Sequence, residues 1–208
     1  MRLNNFAVNE NQSISAVVLH FPPSLQLANE QFFDFCQVNR ELRIERTASG
    51  DYEIMAPTGG QTSCRNSRLT MLLTIWAEQE GSGVVFDSMG GFILPNGAMR
   101  SPDASWVKRE RLVKLTPEQK QGFLPLCPDF IIELRSPSDS IKSLQDKMQE
   151  YRENGASLGW LIDPKDRRVF IYQPAKEVII QDSPEFLTAD DVLTGFRLDL
   201  KKIWDVGF

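Results

Sequence analysis

The alternation of helical and strand patterns along the chain is the feature that most constrains its fold. Apolar residues at helical spacing, with capping residues at the ends, cover four segments: about 25–38 (capped by Ser24), from Thr62 or Ser63 to Gly81, 116–122 and about 140–154. Short apolar runs and turn residues predict strands or hairpins between them: 14–21, 41–57, 84–107, 129–134, 158–173 and the tail from 196. Helices that alternate with clustered strands predict an α/β or α+β fold with a mixed central sheet.

The composition is that of an ordinary globular protein. The 208 residues are 41% hydrophobic and 25% charged, and this length predicts one domain. No apolar run approaches a membrane span, and the N-terminus lacks the pattern of a signal peptide. Three cysteines without CxxC spacing argue against a disulfide framework and a zinc site. We therefore expect a protein of the reducing cytoplasm that does not enter a membrane.

The chain has one histidine, His20, inside a predicted apolar strand. A catalytic triad, a Cys-His pair or a site with several histidines would depend on this residue alone. A lone histidine in such a strand is more typical of a core position. Any enzymatic chemistry is therefore expected to use carboxylates and amines.

Two acids occupy unusual places in predicted strands. Alternation along 129–134 puts Glu133 on one face with Arg135, and a carboxylate at the end of a buried strand needs a cation, a metal or hydrogen-bond donors. Asp103 follows Pro102, which marks a strand edge, bulge or bend where a side chain can be directed into a site. The alternatives are a structural salt bridge between Glu133 and Arg135, and a solvated turn at Asp103.

Lys147 is the third candidate. It lies on the same side of a predicted helix as the apolar residues Leu144, Met148 and Tyr151. Such an amine either reaches outward to solvent or meets carboxylates. Two acids on neighbouring strand ends could hold Mg²⁺ or Mn²⁺, and a nearby lysine could orient or deprotonate a water for hydrolysis of a phosphodiester.

Four ordered segments, RSPDASWV, PDFIIELRSPSDS, DKMQEY and GWLIDP, resemble the Uma-two family of bacterial endonucleases. Pro102-Asp103 followed by Glu133-Leu134-Arg135 also resembles the PD-(D/E)XK signature of restriction-endonuclease-like nucleases. The resemblance implies a single restriction-endonuclease-like domain over 1–208, with residues 1–40 as an elaboration of its core. It further implies a metal held by Asp103, Glu133 and the carbonyl of Leu134.

The sequence departs from the superfamily pattern at Arg135, which stands at the signature lysine position. Arginine is a poor general base but can hold a phosphate. The resemblance implies that a lysine on the following helix substitutes, which is Lys147 here. Glu45 matches another acid of the family and is a candidate further ligand or base.

The implied function is a Mg²⁺- or Mn²⁺-dependent endonuclease that acts on DNA. The formal charge of −5 does not suggest a protein that coats nucleic acid, but basic residues cluster locally: Arg65, Arg68, Arg100, Lys108, Arg109, Arg111 and Lys114. Cutting both strands of a DNA duplex favours a homodimer.

Two alternative functions remain: a catalytically inactive module of the same fold that binds nucleic acid or a protein, and a glycosidase-like hydrolase with two carboxylates.

Overall fold

The structure is a computed structural model that describes residues 16–208. Over these residues the helices are α1 (Asn29–Val38), α2 (Gly60–Glu80), α3 (Arg109–Leu112), α4 (Pro117–Gln121), α5 (Ile141–Glu153) and α6 (Lys201–Trp204). The first seven strands are β1 (Ala16–Leu19), β2 (Arg43–Arg46), β3 (Tyr52–Met55), β4 (Gly83–Asp87), β5 (Phe92–Ile93), β6 (Met99–Arg100) and β7 (Ala104–Lys108). The remaining strands are β8 (Phe130–Leu134), β9 (Leu158–Asp163), β10 (Arg168–Tyr172), β11 (Ile179–Asp182), β12 (Phe186–Ala189) and β13 (Leu193–Asp199).

A six-stranded mixed sheet forms the centre of the fold, in the order β11-β10-β9-β8-β7-β4. Only β8 and β9 run parallel within it, and α5 makes the crossover between them. The other neighbours pair antiparallel. The expected fold class, a mixed sheet flanked by helices, is confirmed.

Both faces of this large sheet are covered. On one face, α2, α6 and the β12–β13 hairpin pack on β8 through residues such as Leu73, Phe196 and Ile132. On the other face, α5 packs through Met148 and Tyr151. The strand alternation predicted for 129–134 is confirmed, because Phe130, Ile132 and Leu134 lie in the first core and Ile131 in the second.

A second, five-stranded antiparallel sheet, with the order β1-β3-β2-β6-β5, lies beside the large one. Its small core contains Phe32 of α1 with Ile44, Tyr52 and Met99. The predicted Asn96-Gly97 hairpin joins β5 to β6, and Gly97 adopts the left-handed φ of 87° that this turn requires. The chain leaves this small sheet at the end of β6 and enters the large sheet at β7.

Some predicted boundaries are wrong. Ser24 does not cap α1; it lies in a 3-10 turn that begins at Pro23, and α1 begins at Asn29. The long helix α2 begins two residues before Thr62, at Gly60. Strands β11 and β12 had no prediction. The first two residues of the predicted strand 14–21 lie outside the described residues.

Other predictions hold or need correction at single residues. Ser140 caps α5, and Gly155 follows its end with a φ of 103°, as predicted. His20 is not a core residue: its side chain is 80% exposed and lies 3.2 Å from Asp51. None of the helices in residues 16–208 combines the length and the apolar character needed to cross a membrane.

Candidate active site

Asp103 lies in the connection between β6 and β7, where the chain passes from the small sheet to the large one. The preceding Pro102 has no N–H to donate to a sheet ladder, which agrees with the break in the strand at this point. Asp103 is buried. Leu134 N donates to its Oδ2 at 2.8 Å and Asn66 Nδ2 donates to its Oδ1 at 3.1 Å. The carboxylate is thus fixed beside the end of β8.

Glu133 is the buried acid of β8, on the face that α5 covers. Lys147 and Tyr151 lie one turn apart on α5, so both side chains reach the same region of the sheet. Lys147 Nζ lies 2.9 Å from Glu133 Oε1, and the Tyr151 hydroxyl donates to the same oxygen at 3.0 Å. The lysine therefore meets a carboxylate inside the protein instead of reaching outward to solvent.

Glu45 of β2 is the second carboxylate that binds Lys147, which donates to its Oε1 at 2.8 Å. Ser101 N donates to the same oxygen at 3.0 Å, and Arg100 Nη1 donates to Oε2 at 3.1 Å. Both oxygens of Glu45 are therefore engaged by donors of the protein. Glu45 is thus joined to the site through Lys147.

The charges in this cluster change the pKa of each member. Burial raises the pKa of Glu133 to about 7; Lys147 offsets this only in part, and Asp103 and Glu45 add to it. Burial also raises the pKa of Glu45, but Lys147 and two arginines outweigh it and bring the pKa to about 2. Burial lowers the pKa of Lys147, and Glu133 and Glu45 overcome this and raise it. Glu45 and Lys147 are therefore charged beside a Glu133 that titrates near neutral pH.

A cleft of about 510 Å³ opens beside the cluster. Asp103, Glu133 and Lys147 all line it, so the residues singled out in the sequence share one opening. The first turn of α2 lines it as well, beginning at Gly60 without a side-chain cap. Uncapped N–H groups at a helix N-terminus attract anions. The cleft thus combines acids, an amine and an anion-attracting backbone.

The oxygen atoms at this cleft suit a hard divalent cation. Asp103 and Glu133 offer carboxylates, and the carbonyl of Leu134 lies on the same side of β8 as the N–H that binds Asp103. Within residues 16–208, no group of three or more histidine, cysteine, aspartate or glutamate side chains is arranged to hold a metal ion. Mg²⁺ needs only one or two carboxylates, because it keeps several of its waters. The residues present therefore fit Mg²⁺ or Mn²⁺.

The structure does not bring Arg135 to this cluster. The residue follows the last position of β8, and its Nη1 lies 2.7 Å from Asp163 Oδ2 and 3.7 Å from Asp166 Oδ2. The sequence alternation that places it beside Glu133 ends with the strand at Leu134. Arg135 therefore stabilises the junction of β8 and β9.

Part of the basic cluster that was expected to contact phosphates has partners inside the protein. Arg100 is buried and contacts three glutamates: Glu45 at 3.1 Å, Glu150 at 2.6 Å, and Glu53. Arg65 and Arg68 donate to carbonyls of the C-terminal segment, and Arg111 pairs with Asp129. Each of these arginines therefore has a partner within the protein, whereas Arg109 and Lys114 of the same cluster are exposed.

Sequence reasoning missed three polar residues of the cluster. Arg43 alternates with Glu45 on β2, and this spacing was the signal that could have revealed it. Tyr151 was assigned to the apolar stripe of its helix, although a buried tyrosine hydroxyl usually has a partner. No local signal marks Asn66, because its contact with Asp103 depends on how α2 packs.

Comparison with known proteins gives a family and a fold for this chain. The Uma2 family model, described as "Putative restriction endonuclease", matches residues 29–201. The crystal structure of a "putative nuclease belonging to DUF820 from Anabaena variabilis" has a TM-score of 0.67, is 21% identical and covers 79% of this chain and 90% of its own. At this identity the likeness shows the shared fold, which confirms the expected nuclease-like architecture.

A cryo-EM structure of a DrdV–DNA complex has a TM-score of only 0.37 with 16% identity, covering 67% of this chain and 11% of that one. A likeness at this level supports no conclusion. No curated protein matches significantly. The family match covers most of the chain, and the chain therefore belongs to the Uma2 family, whose members are described as putative restriction endonucleases.

Proposed function

We propose that this protein is a metal-dependent endonuclease that hydrolyses phosphodiester bonds of DNA. The observation that carries the proposal is the convergence of Asp103, Glu133 and Lys147 on one cleft, in a chain of a restriction endonuclease family. The arrangement requires no histidine, in agreement with the surface position of His20. The choice of DNA as substrate rests on the family.

Asp103 and Glu133, with the carbonyl of Leu134, would hold the Mg²⁺ or Mn²⁺ ion. When bound, the ion supplies a Lewis acid that lowers the pKa of water and offsets negative charge on the phosphoryl group. The chain orients these ligands itself: Asn66 and the Leu134 N–H hold Asp103, and the Tyr151 hydroxyl holds Glu133. Such hydrogen bonds fix the direction of a ligand and tune its affinity.

Lys147 is the cationic donor of the proposed site. Because Glu133 and Glu45 raise its pKa, it carries a proton at neutral pH. It is therefore suited to donate hydrogen bonds to the attacking water or to a phosphate oxygen, and unsuited to accept a proton. Glu45 acts as its positioning residue through the 2.8 Å contact. In this proposal Glu45 binds the lysine and not the metal.

We also propose that two copies act together, because cutting both strands of a duplex is simplest with two symmetric sites. Analytical ultracentrifugation with and without a DNA duplex tests this, and a strict monomer in both conditions would contradict it.

We also propose a reducing, cytoplasmic setting, which suits a protein whose cysteines, Cys36, Cys64 and Cys127, are free thiols.

A plasmid assay tests the proposed activity. Purified protein is expected to nick or cut supercoiled DNA with Mg²⁺ or Mn²⁺, and excess EDTA is expected to stop it. Asp103→Asn and Glu133→Gln are each expected to lower the rate by about a hundredfold or more. Asp182→Asn, on the exposed strand β11, controls for the same chemical change and is expected to keep wild-type activity. Full cleavage in EDTA would contradict the proposal.

A second candidate is a catalytically inactive module of this fold that binds nucleic acid or a protein partner. The observation in its favour is Arg135, which replaces the signature lysine and is bound to Asp163. This candidate predicts no cleavage under any metal condition and a DNA affinity that does not depend on divalent metal. Metal-dependent cleavage that the Glu133→Gln variant loses would exclude it.

A further inference from the structure

Arg43 is the second basic residue that lines the cleft, beside Lys147. Its Nη1 lies 3.5 Å from Asp103 Oδ1, and its Nη2 donates to the carbonyl of Ser101. Its Nε is buried and has no hydrogen-bond partner in the described part of the chain. The guanidinium is thus held beside Asp103 by one long ion-pair contact and one backbone hydrogen bond, with a donor left unused.

A divalent cation at Asp103 would meet this guanidinium. Mg²⁺ binds carboxylate oxygens at about 2.1 Å, so an ion on this carboxylate would lie within a few ångströms of Arg43. Two cations at such a separation in a partly buried site repel each other strongly. The Oδ2 atom of Asp103 already accepts the N–H of Leu134, whereas Arg43 contacts Oδ1. Arg43 therefore occupies a place that competes with the metal.

The same guanidinium is suited to a phosphate. Arginine presents a planar set of donors that binds phosphate oxygens in pairs, and it stays charged at any pH of interest. Arg43 lines the cleft, and the contact of its Nη1 with Asp103 Oδ1 is long, at 3.5 Å. A guanidinium released from Asp103 would be placed to bind an anion in that cleft.

We propose that Arg43 competes with the divalent metal for Asp103 and, when the metal displaces it, binds the scissile phosphate of DNA. This role rests on the proposed function. It gives Arg43 two opposite effects, one against metal binding and one in favour of catalysis. If Arg43 only supported Asp103 structurally, its removal would weaken both metal binding and DNA cleavage.

The test measures Mn²⁺ affinity without DNA, by titration calorimetry, and plasmid cleavage separately. Arg43→Met is expected to tighten Mn²⁺ binding by about tenfold, because a competing positive charge is removed. The same variant is expected to cleave DNA at least about a hundredfold more slowly at saturating metal. Arg40→Met makes the same charge change at an exposed position outside the cleft, where Arg40 Nε donates to the Gln37 carbonyl, and is expected to change neither value.

Arg43→Gln is the second variant, because glutamine keeps a polar amide at this position while lacking the charge. It is expected to show the same two changes if Arg43→Met folds poorly. Unchanged or weaker Mn²⁺ binding in the folded variants would overturn the competition, and tighter binding with unchanged cleavage would overturn the phosphate role. A wild-type protein that binds no Mn²⁺ would refute the proposed metal-dependent function itself, which is a distinguishable result.

Discussion

Glu133 is a carboxylate that the folded protein holds in an unfavourable environment for its charge. Its pKa rises from an ordinary value of 4.5 to about 7, first because of burial and then because Asp103 and Glu45 are near. The folded state therefore binds this proton more tightly than the unfolded chain does. As a result, the stability associated with Glu133 falls as the pH rises from about 4.5 to about 7.

Glu133→Gln is expected to raise the free energy of unfolding at pH 8, because the neutral amide removes the buried charge. The gain should shrink as the pH falls through 7 towards 4.5, where wild-type Glu133 also becomes protonated in the folded state. Urea denaturation at pH 5 and pH 8 measures this. Glu177→Gln makes the same change at an exposed position. A variant that is less stable than wild type at pH 8 would contradict the account.

Tyr151 favours the ionised form of Glu133 by donating a hydrogen bond to it at 3.0 Å. Tyr151→Phe is therefore expected to raise the pKa of Glu133 further and to move the rising limb of the pH–activity profile upward by about 0.5–1 pH unit. The direction follows because metal binding requires the carboxylate form. Tyr172→Phe, a buried tyrosine packed on the same sheet face, is the control. An unshifted profile would show that the hydroxyl has no such role.

Arg100 joins four elements through its contacts. It extends from β6 to Glu45 on β2, Glu53 on β3 and Glu150 on α5. The small sheet and the helix that carries Lys147 are thus connected by one buried guanidinium. Removing it would leave Lys147 as the side chain that donates a hydrogen bond to Glu45.

Arg100→Met is expected to lower the free energy of unfolding by about 3–5 kcal/mol, because the buried Glu45 and the partly buried Glu53 and Glu150 lose the cation that they share. Arg168→Met offers a matched control, since Arg168 on β10 pairs with Asp182 on β11 across two exposed side chains. Arg168→Met is expected to lower the free energy of unfolding by about 1 kcal/mol or less. Equal effects of the two substitutions, measured by urea denaturation, would argue against a structural role for the buried network.

Elements with a strong local pattern could be predicted from the sequence. A local sequence pattern identifies each of three elements: the apolar stripe and caps of α5, the Asn96-Gly97 turn and the buried run of β8. Strand β11 could not be predicted, because it is a mostly exposed edge strand without clear alternation. The start of α1 was misplaced because Pro23 favours a 3-10 turn before the helix begins.

The residues of the candidate site also fall into those that the sequence could predict and those that it could not. Asp103, Glu133 and Lys147 could be selected because each is a polar residue at a position where its own segment predicts burial or a break. Their partners could not, because Arg43 and Asn66 contact Asp103 across 60 and 37 residues of chain. Such contacts arise when β2 and α2 pack at the sheet junction, which no local pattern encodes.

The whole molecule carries a formal charge of −5, so the proposed DNA substrate would have to be attracted by a small region of its surface. Several arginines are paired within the protein, as at Arg65, Arg68 and Arg100. Arg43 and Lys147 are the lysine or arginine side chains that line the cleft. If DNA is held by this cleft alone, few of its phosphates are neutralised.

The salt dependence of DNA binding is expected to be shallow. With at most two or three phosphates neutralised, the slope of log Kobs against log salt should be no steeper than about −3. Fluorescence anisotropy with a short duplex in EDTA, between 50 and 200 mM salt, measures it without cleavage. A slope steeper than about −6 would show that a larger basic surface contacts DNA.

The connection at Ser101–Asp103 determines when the candidate site is assembled during folding. Glu133 and Lys147 belong to one continuous β8–α5–β9 segment, whereas Asp103 takes its place only when β7 has paired with β8. A partly unfolded chain in which β7 is detached would therefore lack one of the two carboxylates of the proposed metal site. On the proposed function, such a chain would be inert towards DNA, and cleavage would be confined to the fully folded protein.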